Sequence, residues 1–346
     1  NERGWYEMNR EKHITFIVFS IILLLFIAGC GGGEVTGGAP TTPFLEGTQG
    51  LAIGFLEGSP PDEVTDGDIF PFQAIISLKN MGESDVATTD ANVSLIGFLP
   101  SLFQSDSPAD FEDKDLIAKQ SSEELKARQR DSEGNIIESV EMILTFPTDT
   151  KSFQYKDELP GNTPFIFRAD VCYKYQTKAV SEICVLANQV DVADDAICAP
   201  SESKAVFSSG SPIRVTGFRQ NVVGKDKIQL SFDVAHTGSG DVFDPTITAE
   251  CPKTPRDRRI KEDVINITVD TGLTTATLNC VGLGDVAGAT AKQRGPVKLV
   301  NGRRTVTCTQ GLDAGRTDFK KSVDVTLDFN YLSSADKEIL VKHVIS

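Results

Sequence analysis

Residues Lys227 to Val242 read KIQLSFDVAHTGSGDV, and the first part alternates strictly: Ile228, Leu230, Phe232 and Val234 fall on one side, Lys227, Gln229, Ser231 and Asp233 on the other. Successive side chains of an extended chain point to opposite faces, so a period-two apolar row is buried only by a strand with one wet face. The same alternation recurs at Phe70, Phe72, Ala74, Ile76 and Leu78, at Phe165, Phe167, Ala169, Val171, Tyr173 and Tyr175, and at Val323, Val325, Leu327, Phe329 and Tyr331. These rows predict antiparallel sheets. Asn301-Gly302, between VKLV and RRTVTC, predicts a two-residue turn, because both residues accept the positive φ it needs.

Two of the strands end alike. NMGESDV (Asn80 to Val86) and HTGSGDV (His236 to Val242) share a turn residue, a glycine two positions on, and Asp-Val. Downstream, DVCYKY…EICV (Asp170 to Val185) matches DVTLDF…EILV (Asp324 to Val341). Val86 to Val171 is 85 residues and Val242 to Val325 is 83, so the matches share a spacing and predict a duplication. The expected units are 46–195 and 212–346, joined by a Ser- and Pro-rich linker at 196–211. Many short strands with turn signals predict a two-sheet sandwich for each, hence an all-β chain. SSEELKARQRD (Ser121 to Asp131) has helix-favouring composition but almost no apolar stripe, and is expected to be an exposed excursion.

Ahead of these units, Arg10 and Lys12 precede a run from Ile14 to Gly29 broken only by Thr15 and Ser20, and the run ends in IAGC at Cys30. This is a charged region followed by an apolar one, short for a permanent membrane span. The Gly-rich stretch 31–45 reads as a flexible tether. Met8 to Cys30 resembles the lipobox of secreted lipoproteins, and the resemblance implies a diacylglycerol on the Cys30 thiol. The other readings of 1–30 are an uncleaved anchor helix and a buried structural role for Cys30. Lipid or helix alike would make the membrane a partner and place residues 40 to 346 outside the cytoplasm.

The net charge of −15 and pI near 4.7 repel phosphate at long range, which argues against a nucleic-acid partner. The basic run PRDRRIK (Pro255 to Lys261) is expected to be a solvated loop. Cys172, Cys184, Cys198, Cys251, Cys280 and Cys308 form an even set in an exported chain, which predicts disulfides; none lies in a C-x-x-C. Strand parity suggests Cys172–Cys184 across adjacent strands of a closing hairpin and Cys280–Cys308 between sheets, leaving Cys198–Cys251. Asn92-Val93-Ser94 and Asn266-Ile267-Thr268 are glycosylation sequons.

Catalytic chemistry is not suggested. Of the histidines, His13 lies in the apolar leader, His236 occupies the turn position that Asn80 holds in the other repeat, and His343 lies in the last strand. No nucleophile elbow, H-E-x-x-H or phosphate loop occurs, so neither enzyme activity nor a cofactor is expected. The acidic runs Asp62 to Asp68 and Asp110 to Asp115 lack EF-hand spacing; Asp62, Asp66 and Asp68 are the weak calcium candidates.

FPFQAIISLKNMGESDVA, with GTQGLAIGFLEGSPPDEVTDGDIF before it and VCYKYQTKA after it, resembles the CARDB-like and related immunoglobulin-like domains of archaeal and other prokaryotic cell-surface proteins. The resemblance implies two tandem immunoglobulin-like β-sandwich domains on a surface lipoprotein, and it brings no catalytic residues. The expected function is structural, adhesive or self-assembling. A filament subunit that releases Thr41 to Leu56 to a neighbouring copy is one alternative. A polysaccharide- or solute-binding module is the other, disfavoured because the single Trp5 lies outside both units.

Overall fold

The structure is a computed structural model and describes residues 42–67, 70–104, 119–247 and 250–344. The leader, Cys30 and residues 31–41 of the tether lie outside the described residues, as do Asp68 and the acidic run Asp110 to Asp115. The first half contributes β1 (Leu51–Phe55), β2 (Glu63–Thr65), β3 (Ala74–Asn80), β4 (Ala91–Ile96), β5 (Phe103–Gln104), β6 (Lys119–Gln120), β7 (Gln129–Arg130), β8 (Ile136–Ile137), β9 (Glu141–Phe146), β10 (Gln154–Tyr155) and β11 (Thr163–Val185). The second contributes β12 (Glu202–Ser203), β13 (Val206–Ser208), β14 (Ile213–Gly224), β15 (Lys227–His236), β16 (Asp241–Phe243), β17 (Val264–Asp270), β18 (Leu278–Cys280), β19 (Gly284–Val286), β20 (Ala289–Lys298), β21 (Arg303–Gly311) and β22 (Phe319–Lys342).

The chain is all-β and sandwich-like, but the halves do not close separate sandwiches. β11 and β22 pair antiparallel along their whole length, from Thr163 opposite Val341 to Val185 opposite Phe319, at the centre of a ten-stranded sheet. Two smaller sheets, β1-β3-β9 and β12-β14-β15-β21-β18, pack against it. Both cover one face. The hydroxyl of Tyr173 on β11 receives the Leu51 amide of the first small sheet, and the hydroxyl of Thr177, on the same side of β11, donates to Ile213 C=O of the second. The linker 196–211 therefore does not separate the halves into independent bodies, and Thr42–Ser346 forms one compact unit with one continuous apolar core.

Alternation explains this arrangement. Odd positions of β11 from Phe167 to Val185 are buried, while Lys174, Lys178 and Glu182 face water. The core gathers the phenylalanines into a cluster in which Phe98 stacks on Phe167 at 4.1 Å and Phe103 meets Phe165 and Phe167 edge-on. Burying such large rings supplies much of the apolar area that offsets chain ordering.

Several local expectations are corrected. Ser121 to Asp131 is not helical, nor wholly an exposed excursion: Leu125 is buried in the core and its backbone bridges to Val86. Pro255–Lys261 is a short α-helix, not a loop, capped by the Thr254 side chain on the Asp257 amide. Its charges are used locally, Arg258 pairing with Asp241 and Glu262, and Lys261 with Asp244. Asn301-Gly302 does form the turn, with φ of 52° and 71°. The strands beside it nevertheless enter different sheets, β20 the large one and β21 the five-stranded one.

The disulfides are Cys172–Cys251, Cys184–Cys198 and Cys280–Cys308. Cys172 and Cys184 cannot pair because both lie on β11, one unbroken strand; twelve residues of extended chain span about 40 Å. With that pair excluded, Cys198–Cys251 also fails. Cys280–Cys308 is present, but it joins directly opposed residues of β18 and β21 within one sheet and does not bridge two sheets.

Candidate functional site: the seam between the repeats

The duplication can be located atom by atom. Tyr175 on β11 donates to Asn80 Oδ1 at 3.3 Å and receives the Ser84 amide at 3.2 Å. On β22, Tyr331 lies 3.0 Å from His236 Nε2 and receives the Gly240 amide at 2.7 Å. Each member of the second set stands 156 positions after its counterpart (80 to 236, 84 to 240, 175 to 331). That offset also carries Lys174 onto Asn330, which is its partner in the β11–β22 ladder. Equivalent strands paired antiparallel about equivalent residues define a local twofold axis, and the two halves share their sheet across it.

The tyrosines of the seam are buried. Burial pushes the Tyr173 and Tyr175 hydroxyls well above the usual phenol range and Tyr331 up to about 12, so all three act as hydrogen-bonding posts. Burial likewise lowers the His236 pKa, favouring the uncharged ring. Neither histidine expected to be structural has a nucleophile beside it: His236 meets Tyr331, and His343 Nδ1 meets Asp66 at 2.8 Å.

Asp66 closes the far end of the large sheet. It is 1% exposed and accepts from the amides of Leu159 at 2.8 Å and Val344 at 3.0 Å, besides His343. These bonds, the Leu159 amide foremost, lower its pKa to about 2, because each is made to the ionised carboxylate. Asp62 pairs with Lys337. The two described calcium candidates are thus engaged with protein donors, and among the described residues no group of three acidic, His or Cys side chains is placed to hold a metal. Since the folded pKa lies below the unfolded value near 3.8, Asp66 contributes stability that is complete above that value and is lost as pH falls through about 2. Urea midpoints measured from pH 5 to pH 2 are expected to fall less steeply for Asp66→Asn than for the parent chain.

Both sequons lie inside strands of the large sheet. Asn92 pairs between β11 and β6, and Asn266 between β22 and β20, with half-buried side chains on the outer face. Cys172–Cys251 sits on that face too, packed with buried Phe243 and with Leu332. It ties β11 of the first half to the segment after β16 of the second. Sequence parity placed Cys172 on this face but gave no sign of what would cross over to meet it.

The seam's linker is held as closely as its tyrosines. Ser209 and Lys178 exchange bonds, the Ser209 amide to Lys178 C=O at 2.8 Å and the Lys178 amide to Ser209 Oγ at 3.0 Å. Glu83 N–H donates to Gly210 C=O at 3.0 Å, and the Ser211 and Thr177 hydroxyl oxygens lie within hydrogen-bond distance at 2.7 Å, with Thr177 Oγ1 as acceptor. The Glu83 carboxylate gathers the amides of Leu45, Glu46 and Gly210. None of this was apparent in the sequence, where 196–211 reads only as polar spacer.

No family model matches the chain, and no curated protein matches it. Among solved structures it is similar to the secreted serine protease VesC from Vibrio cholerae, at 8% identity over 80% of this chain and 49% of that one, with a TM-score of 0.16. It is also similar to a partial N-terminal region of the enterococcal surface protein, at 9% identity over 81% of this chain and 87% of that one, again with a TM-score of 0.16. The chain thus spans about half the length of the VesC chain. Superpositions this loose carry no argument about fold or function. Three disulfides do fit an oxidising environment such as the cell exterior, since cytosolic thiols are kept reduced. Among the described residues no helix is long and apolar enough to cross a membrane.

Proposed function

We propose that this chain is an exported, membrane-anchored structural protein of a cell surface, presenting a rigid two-repeat β-body beyond a glycine tether. The supporting observation is the Cys172–Cys251 bond, which ties β11 of the first repeat to the segment after β16 of the second. A body made of two repeats sharing one sheet and one core, oxidised across their junction, suits mechanical or architectural duty outside the cell. The IAGC sequence at Cys30 supplies the anchor under this reading, through a lipid or through the apolar run before it. Intact-mass measurement of the protein extracted from its native membrane tests this. The expected species begins at Cys30 with diacylglycerol attached or retains its leader in the membrane fraction. Recovery of the unmodified full chain from the cytosol, with free thiols, would refute the proposal.

Self-assembly is the favoured form of that duty, but not by release of Thr41 to Leu56. Leu51–Phe55 is paired residue for residue with β3, from Leu51 opposite Asn80 to Phe55 opposite Ile76, and Leu51 is core. Pulling it out would expose that core. The polysaccharide-binding alternative gains no support from the surface, since the four tyrosines among the described residues are all buried.

A further inference from the structure

Three buried glutamines of this fold hold main chain. Gln220 Oε1 takes the Cys184 amide at 2.8 Å while its Nε2 donates to Cys184 C=O at 2.7 Å. Gln310 Nε2 donates to the Ala276 and Gly311 carbonyls, at 3.1 Å and 2.8 Å, and Gln293 Oε1 takes the Cys280 amide. A carboxamide sets one acceptor beside one donor, as a residue of extended chain does. Gln189 is buried as deeply, at 2% exposure, yet neither of its amide atoms has a hydrogen-bond partner among the described residues. A carboxamide unpaired at both ends bears its desolvation cost uncompensated, which a leucine of similar size would avoid.

The surroundings of Gln189 suit an extended chain. It lines an open cleft of about 740 Å³ together with Val190, Val192, Ala193, Val222 and Val223. Val222 and Val223 lie at the end of β14, whose outer edge β12 covers only at Arg219 and Gln220. Beyond them the Val222 amide donates to Ser201 Oγ at 3.0 Å, and no described strand pairs with that edge. The facing wall is the loop after β11, closed at its base by Cys184–Cys198. Asn188 Oδ1 takes the amides of Val190 and Asp191, and the Ala196 amide donates to Ala193 C=O. Among the described residues no hydrogen bond or ion pair joins residues 190–197 to another element. Val190, Val192 and Ile197 are exposed on this crest, and so are Asp191, Asp194 and Asp195.

We propose that the cleft beside Gln189 is a docking site for an extended, basic polypeptide segment of a partner protein, one residue of which pairs with the Gln189 carboxamide as Cys184 pairs with Gln220. Entry lifts the crest of the loop, which turns on its disulfide-closed base and breaks no strand as it uncovers the amide. Main-chain pairing to Gln189 supplies the fixed register, and the valine and alanine walls seat the apolar side chains of the incoming segment. The three aspartates select basic residues at its flanks and disfavour a second copy's acidic loop in the same place. The cleft lies past the last rung of the β11–β22 ladder, Val185 opposite Phe319, so its occupation depends on neither the anchor nor self-assembly.

The test uses the full oxidised chain and a fluorescent synthetic peptide that alternates valine and threonine and carries lysine at both ends. Saturable binding is expected, weakening as salt is raised. Gln189→Leu should weaken binding about tenfold while leaving the free chain at least as stable to urea, a combination that a merely structural glutamine would not give. The same peptide N-methylated across its central residues should also bind about tenfold more weakly, because main-chain pairing needs the N–H. Glutamate in place of the terminal lysines should weaken binding by a similar factor. Equal binding by the Gln189→Leu chain, or of the N-methylated peptide, would overturn main-chain pairing to Gln189. Equal binding of the glutamate peptide would overturn the basic partner, and no saturable binding by the parent chain would overturn the site. If Gln189→Leu misfolds, the N-methylated peptide decides.

Discussion

Replacing Cys172 and Cys251 by alanine is expected to cost more stability than removing either other disulfide. The residues are 79 apart, against 28 for Cys280–Cys308 and 14 for Cys184–Cys198. Chain-entropy arguments give about 4.5, 3.6 and 3 kcal/mol for loops of those lengths. The long loop also crosses the seam, so its loss frees the halves in the unfolded chain while leaving the β11–β22 ladder to hold them in the folded one. Denaturant midpoints of the three double variants should rank in that order, with the native circular dichroism unchanged. If the Cys184–Cys198 variant were the least stable, the cross-seam bond would not be the dominant restraint.

Gly82→Ala and Gly238→Ala are expected to be severe and similar, because they are the same position in the two repeats. A Cβ on Gly82 would stand 2.6 Å from the carbonyls of Gln49 and Gly210 and closer still to the Tyr175 hydroxyl. A Cβ on Gly238 would stand 2.7 Å from Pro212 Cβ and closer to the Tyr331 hydroxyl. Neither tyrosine can retreat, since each is buried and bonded to the turn it clashes with. Overpacking of this kind typically costs about 1–3 kcal/mol, and the upper end is expected where backbone carbonyls and a bonded tyrosine bar any shift. Gly54→Ala, with nothing within 4 Å, serves as the control and should change stability little. Thermal melts of the three variants measure this directly.

Strand placement was legible because alternation is a local signal. The rows at Ile228 to Val234, Phe165 to Tyr175 and Val323 to Tyr331 all lie in strands with those residues inward. The repeat was legible too, although matching DVCYKY to DVTLDF makes Val171 the counterpart of Val325, while the 156-residue offset of the tyrosine bonds makes it the counterpart of Leu327, two residues on. A slip of two keeps every side chain on its face, so alternation cannot detect it; the tyrosine bonds can. What pattern could not show was sharing. An apolar row says that a face is buried, not by which half, and β11 and β22 each read as the closing hairpin of its own domain. That single misreading produced both the independent sandwiches and the Cys172–Cys184 pair, since a hairpin would have folded Cys184 back beside Cys172. The candidate site was only partly legible: Asn80 and His236 were seen as equivalent turn residues, but the tyrosines they meet are 95 residues away in each repeat.

Non-reducing tryptic mapping of the native protein tests the shared, cross-locked body most directly. Cleavage after lysine and arginine places Cys172 in residues 169–174, Cys251 in residues 228–253, and Cys184 together with Cys198 in residues 179–204. The structure requires 169–174 to be linked to 228–253, with 179–204 carrying its bond internally. A link between 169–174 and 179–204 would mean that β11 folds back as a hairpin and the halves close separately, contradicting the shared sheet.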